Sequence, residues 1–270
     1  MLHLNRRRAE TFGEYADEYD RARPTYPVAL VDAVRPRGAC RVLDVGCGTG
    51  KAAQLFGARG CDVLGVEIDE RMAAVARRRG IPVEVSPFET WEPAGRTFNL
   101  VVSGQAWHWV DPSVAPAKVA DVLTANGRLA AFWNYEYPSV EALAAAVEDA
   151  YERFAPELEG SGIGRTAKRR HDSQTREHVR WIDACGRFAP CTVERFPWTW
   201  ELGRDEFLDL LRTHSGVALL PEDRRDAMLA VIAEAIGQVG STIALNVETI
   251  CIVAVKAASE RVTTAAFSAH

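Results

Sequence analysis

Three alternating glycines stand in Asp44-Val45-Gly46-Cys47-Gly48-Thr49-Gly50, and an acid, Glu67, follows 21 residues after Gly46. Such glycines let a ligand approach the backbone and leave the amides of a following helix open to it. In an open α/β sheet an acid about 20 residues further on grips a ribose diol. The spacing is not G-x-G-x-x-G, so the dinucleotide fingerprint fails. Gly50-Lys51 is followed by Ala52, so no hydroxyl is placed for the Mg²⁺ of a phosphate loop. A nucleoside ligand without a pyrophosphate fits best. Cys47 has no base near it in sequence and reads as a small filler rather than a nucleophile. Lys51 reads as a helix-surface residue.

Two aromatic patches accompany this site. Tyr15 and Tyr19 are four apart and share one helical face, with Arg23 and Tyr26 close behind. They either cover a ligand or staple a helix to the body of the protein. Trp107-His108-Trp109 follows an apolar run, where reacting groups sit in such sheets. A histidine's pKa can be tuned near 7, which makes His108 the candidate base; the other reading is that it only orients a substrate or packs. Asn134 and Tyr135 end another apolar run and are expected on the same rim. Trp181, Trp198, Trp200 and Thr213-His214-Ser215 lie in segments expected to cap it. Arg165, Arg169, Arg170, Arg176 and Arg180 either clamp an acidic substrate or form a solvated basic surface. Arg77–Arg79 end a helix, where cations favour the dipole.

The elements that position these residues read as follows. Residues 10–30 give a short helix and a turn, then a helix over 27–35, because Pro24 and Pro27 disfavour helix just before them. Buried strands are expected at 41–45, 61–67, 82–86, 98–103 and 128–134, alternating with helices at 51–58, 69–79 and 113–124. That alternation predicts an α/β protein with a doubly wound, mostly parallel seven-stranded sheet and helices on both faces. Further on, 140–154 reads as a helix, 159–174 as a loop and 178–185 as a short helix. A strand at 192–201 is confined to an edge by Pro197. Helices at 205–213 and 222–237 and a strand at 247–255 follow. The expected organisation is a helical cap over 1–36, a ligand-binding core over 37–136 and a mainly helical, acceptor-binding lid over 137–190, inserted after strand five. Strands and helices completing the sheet span 191–258, and a frayed tail spans 259–270.

Composition bounds the rest. The chain has 270 residues, 47% hydrophobic and 26% charged, the profile of a globular protein rather than a disordered or fibrous one. A net charge of −5 argues against a general nucleic-acid binder. Only four of the 32 basic residues are lysines, a bias ascribed to codon usage. No two of the six cysteines have C-x-x-C spacing, so neither a zinc site nor a disulfide framework is expected. No stretch has the length of a membrane span or a signal peptide, and a soluble, cytoplasmic protein is expected.

With these residues in view, VLDVGCGTG closely resembles the first motif of class I S-adenosylmethionine-dependent methyltransferases, and LGVEID their acidic ribose-binding motif. SPFETW resembles the segment that reads the adenine amino group. YDRARPTYP and SGQAWHWVD resemble patterns of the small-molecule branch that includes trans-aconitate and ubiquinone/menaquinone methyltransferases. The likeness is good over about residues 12–135; WTWELGRDEFLDLLRTHSGV resembles the branch more weakly. The resemblance implies S-adenosylmethionine as cofactor and S-adenosylhomocysteine as product. Asp44, Gly46, Cys47 and Gly48 then border the methionine end, Glu67 holds the ribose hydroxyls, and Ile68 lies on the adenine face. Phe88 and Glu89 meet the adenine edge, and Gln105 sits beside the cofactor. Relatives commonly carry Asp where this chain has Glu67, and the longer acid can do the same work. Tyr19 and Arg23 match a segment that folds over the cofactor, with His108 the possible base. Tyr15, Trp107, Trp109, Asn134, Tyr135, Trp181 and His214 are the candidate acceptor contacts.

The reading is methyl transfer to an O, N or C atom of a small molecule, by a monomer or homodimer. The alternatives are a methyltransferase acting on nucleic acid or protein, or a non-catalytic module that only binds the cofactor. The exocyclic-amine motif of the former is absent.

Overall fold

A computed structural model describes residues 11–158, 163 and 165–258. The expected frayed tail and the side chains of Arg165 and Arg169 lie outside the described residues. In chain order the helices are α1 Ala16–Ala22, α2 Val28–Val34, α3 Lys51–Gly57, α4 Glu70–Arg78 and α5 Ala115–Val122. There follow α6 Glu141–Phe154, α7 Arg165–Ala184, α8 Arg204–Arg212, α9 Ser215–Ala218 and α10 Glu222–Val239. The strands are β1 Arg41–Val45, β2 Asp62–Glu67, β3 Val83–Val85, β4 Phe98–Gly104, β5 Leu123–Pro138, β6 Thr192–Gly203 and β7 Thr242–Val255.

Among the described residues these strands form one seven-stranded sheet in the order β3-β2-β1-β4-β5-β7-β6. β1 to β5 are parallel, and β7 runs antiparallel between β5 and β6. The order reverses between β1 and β4, which opens the ligand crevice at their carboxyl ends. Buried strands read as continuous apolar runs because both faces are covered. In β1, Leu43 and Val45 pack with α5 on one face, while Val42 packs with α2, α3 and α4 on the other. A third cluster joins α6, α8 and α10 to the far ends of β6 and β7.

Two expectations are corrected. The stretch 159–174 is not one loop: α7 begins at Arg165 and runs unbroken to Ala184, taking in the short helix expected over 178–185. Its inward stripe is His171, Thr175, His178 and Ile182, which follows helical spacing. Only Ile182 is aliphatic, so the apolar pattern is faint, yet Thr175, His178 and Ile182 are all buried. This helix covers one face of the sheet against Trp133 and Tyr135, rather than capping the crevice. The second correction concerns β5, which starts at Leu123 rather than 128. Its register against β4 shifts between Phe98 and Leu100, and Asn126 takes φ +60° there.

Candidate functional site

The turn after β1 supplies the floor of the site. Gly46 has φ +67°, and a Cβ there would stand 2.6 Å from the Ala106 methyl, so a side chain is excluded on both counts. The Gly46 amide donates to the Val66 carbonyl at 2.8 Å, which ties the turn to β2. The Gly48 amide donates to Glu67 Oε2 at 2.8 Å, and the amides of Ile68 and Asp69 donate to Oε1 at 3.0 and 3.1 Å. A carboxylate has about four acceptor sites, so Glu67 keeps capacity for a ligand hydroxyl. Burial raises its carboxyl above the ordinary range even against those three amides. Asp44 is fully buried, and neither carboxylate oxygen has a hydrogen-bond partner. Burial first, and Glu67 second, push it up to about 7.

Gln105 follows β4 in the left-handed region at φ +57°, a strained conformation for a side-chain-bearing residue. Its amide donates to the Phe132 carbonyl at 2.8 Å and its Nε2 to the Asn134 carbonyl at 3.1 Å, which hold it there. Asn134 faces the same crevice with both ends of its amide bonded: Nδ2 donates to the Thr25 carbonyl at 2.9 Å, and Oδ1 accepts from Thr249 at 2.6 Å. It anchors the segment after α1 to the sheet. Glu89 accepts from the Asp111 amide at 2.7 Å.

Two adjoining cavities result. The first is a cleft of about 1150 Å³ including its open mouth, lined by Asp44, Gly46, Cys47, Gly48, Glu67, Ile68, Phe88, Glu89 and Gln105, and also by Tyr19, Arg23, Trp109 and Asn134. Lys51 lines it too, and its ammonium lies 3.9 Å from Asp20. The second, about 580 Å³ including its open mouth, shares Tyr19, Arg23, Gln105 and Trp109 with the first, and adds His108, Tyr151 and His214.

The second cavity is rich in hydrogen-bonding groups. Arg23 Nη2 donates to the Thr213 carbonyl at 2.9 Å, and its guanidinium lies 5.4 Å from the Tyr19 ring centroid. Its buried Nε has no partner, nor do the Tyr151 hydroxyl and His214 Nδ1. Burial, then Arg23 and His171, push His214 well below the usual imidazole range, so it is neutral at pH 7. His108 Nδ1 accepts from the indole N–H of Trp133 at 3.0 Å.

Several candidate residues lie outside both cavities. Trp107 is only 1% exposed and sits in the sheet core, because only His108 and Trp109 of that 3-10 turn face the cavities. Tyr135 points to the sheet face opposite Asn134 and stacks on His171, ring centroids 3.6 Å apart. Trp181 packs edge-on against His178 on that same face. Tyr15 lines neither cavity. Conversely, sequence reasoning missed Tyr151, which reads as one more core position of an Ala-rich helix. It also missed Glu136, a buried acid two residues beyond Asn134 on β5 that lines neither cavity. Burial pushes Glu136 up to about 7 against the pull of Arg23, and its Oε1 has no partner. Strand alternation indicates the face of Glu136 but not its burial.

Residues 43–131 match the methyltransferase domain family. An uncharacterized methyltransferase of Mycobacterium tuberculosis is 40% identical over 127 residues, covering 46% of this chain and 52% of that protein. The trans-aconitate 2-methyltransferase of Mycobacterium marinum is 36% identical over 92 residues, covering 33% of this chain and 34% of its own length. This chain thus spans about half the length, or less, of these curated relatives. Phosphoethanolamine N-methyltransferase 2 of Haemonchus contortus, solved with phosphomonomethylethanolamine and S-adenosylhomocysteine, shares the fold at a TM-score of 0.53 and 16% identity, covering 91% of this chain and 58% of that one.

Proposed function

We propose that this chain, whose residues 43–131 match a methyltransferase domain, is a class I S-adenosylmethionine-dependent methyltransferase that moves a methyl group from that cofactor, held in the first cavity, to a small anionic acceptor held in the second. One observation carries the reading: the cavities meet at Tyr19, Arg23, Gln105 and Trp109, so ligands in the two abut there.

The residues of the first cavity fit the cofactor. Glu67 retains acceptor capacity for ribose hydroxyls, and Ile68 and Phe88 offer apolar faces for a base. The unpartnered Asp44 carboxylate stands beside the glycine turn, where an ammonium or sulfonium end would neutralise it. When bound, S-adenosylmethionine supplies a methyl already activated on a sulfonium. The chain then has to align a nucleophile with that methyl and exclude water, and alignment alone is worth up to about 7–11 kcal/mol. Tyr19 and Trp109, at the junction, offer aromatic faces that attract a cation by roughly 0.5–2 kcal/mol.

The acceptor end supports an anionic oxygen. Arg23 Nε and the Tyr151 hydroxyl are buried hydrogen-bonding groups without partners, and such groups are costly unless a ligand meets them. Arg23 suits a carboxylate, which guanidinium binds by charge-assisted hydrogen bonds. The relative named for trans-aconitate acts on an acid, in line with this reading. The test is methyl transfer to a panel of carboxylic acids, each beside its amide. Acids should be methylated, and Arg23→Gln should lower kcat/KM by about tenfold or more, the scale of a lost charged hydrogen bond. Equal transfer to the amides would refute the anionic acceptor.

A further inference from the structure

We propose that Trp133 holds His108 in the tautomer that carries its proton on Nε2, so that His108 serves the acceptor as a hydrogen-bond donor and not as the base. The role in methyl transfer rests on the reading above; the tautomer does not.

An indole N–H only donates, and a neutral imidazole has one donor nitrogen and one acceptor. Trp133 Nε1 stands 3.0 Å from His108 Nδ1, so Nδ1 is the bare nitrogen and Nε2 bears the hydrogen. For Nδ1 to take up a proton it would have to turn an N–H against the indole N–H. That would break the bond and leave two donors facing each other. The nitrogen able to accept a proton is therefore already occupied, and the other acts only as a donor.

Trp133 is itself immobilised. It is 3% exposed and lies in β5, hydrogen-bonded between β4 and β7. Its ring stacks on His178, centroids 4.7 Å apart and planes within 6°. Burial pushes His178 down to about 4, so the stack is neutral at pH 7. Trp181 closes the far side of His178 edge-on at 4.8 Å. A file of four rings, Trp181, His178, Trp133 and His108, thus runs from α7 through the sheet to the second cavity. Aromatic residues that line neither of the two cavities described thereby fix the ring that does.

The consequence for the reaction is a proton balance. With no base at His108, the acceptor oxygen arrives already ionised. Its lone pair forms the O–CH₃ bond while the S–CH₃ bond breaks. The oxyanion becomes a neutral ester and the sulfonium a neutral thioether, and no proton is released. His108 Nε2–H and Arg23 then favour an acceptor that brings lone pairs to them.

The test reads the histidine ring directly. The full chain is labelled with ¹⁵N, and ring nitrogens are recorded by long-range proton–nitrogen correlation, with His108 assigned by its loss in His108→Gln. The expected result is an unprotonated Nδ1 and a protonated Nε2 in the cofactor-free protein at neutral pH. In Trp133→Phe that pattern should give way to exchange between tautomers. A proton on Nδ1 in the unaltered protein would overturn the proposal, whether or not Trp133→Phe folds. Kinetics give a second reading. His108→Gln keeps a donor and should retain kcat within about tenfold, whereas loss of a base predicts about 10²–10⁴-fold; a drop of that size in His108→Gln would also overturn it. Failure of the methyltransferase reading shows itself elsewhere, as lack of stabilisation by S-adenosylhomocysteine.

Discussion

On the proposed reading, Glu67 and Asp44 share the binding of one ligand, and their surroundings are opposite. Glu67 is held by three backbone amides, so its orientation is set before any ligand arrives. Glu67→Ala should raise the dissociation constant for S-adenosylhomocysteine by about tenfold or more, the scale of one or two charge-assisted hydrogen bonds, as measured by calorimetry. Asp44 has no such partners, and its carboxyl rises from an ordinary 3.8 to about 7 in the fold. The folded chain therefore binds that proton more tightly than the unfolded chain does. The resulting stability is present in full below the ordinary value and is lost as pH rises through about 7. Glu136, raised from 4.5 to about 7, acts in the same direction over the same window. Melting curves of the ligand-free protein should show Asp44→Asn flattening this slope and adding stability above pH 7, on the order of a few kcal/mol at most. The same variant should bind cofactor less well. An unchanged slope would mean that Asp44 is ionised in the fold without cost.

Elements, rather than single residues, decide where the cavities close. α1 forms part of the roof through Tyr19, while Arg23 follows at its carboxyl end. Its underside rests on Met72 and Val75 of α4. Ion pairs strap it down: Asp17 with Arg78, and Asp20 with Arg79 and Lys51. The arginines at the end of α4 thus do more than complement a helix dipole. Asp17 and Arg78 are exposed and contribute little; Asp20 is half-buried and contributes more. Asp20→Asn should speed hydrogen exchange across residues 14–26 and weaken cofactor binding several-fold, and high salt should act the same way. Exchange unaltered by both would show that packing alone holds α1. The parallel sheet is legible in the sequence because β1, β2 and β4 are buried on both faces and so carry apolar runs broken only near their ends. The first cavity is legible because its residues cluster at strand ends and one glycine turn. α7 is not, since its inward stripe is made of His171, Thr175 and His178. Tyr151 is not, since the sequence of an amphipathic helix does not tell which buried hydroxyl lacks a partner.

At the scale of the molecule, one sheet carries both halves of the site. Its parallel strands present the glycine turn and Glu67, while β5 carries Asn134 and Trp133 through to α7 on the other face. The antiparallel β7 and the cluster beneath α6, α8 and α10 bring Tyr151 and His214 to the second cavity. None of the helices among the described residues is long and apolar enough to cross a membrane, and those residues contain no cluster of three metal-ligating side chains. On the proposed reading, the chemistry lies with a bound nucleoside cofactor and the selectivity with the acceptor cavity. Titration calorimetry of the protein with S-adenosylhomocysteine, with Glu67→Ala alongside, reaches the root of that reading. Saturable binding at one site per chain, a matching rise in melting temperature and marked weakening in Glu67→Ala are expected. Absence of binding and of any thermal stabilisation at high ligand concentration, or equal binding by Glu67→Ala, would contradict it.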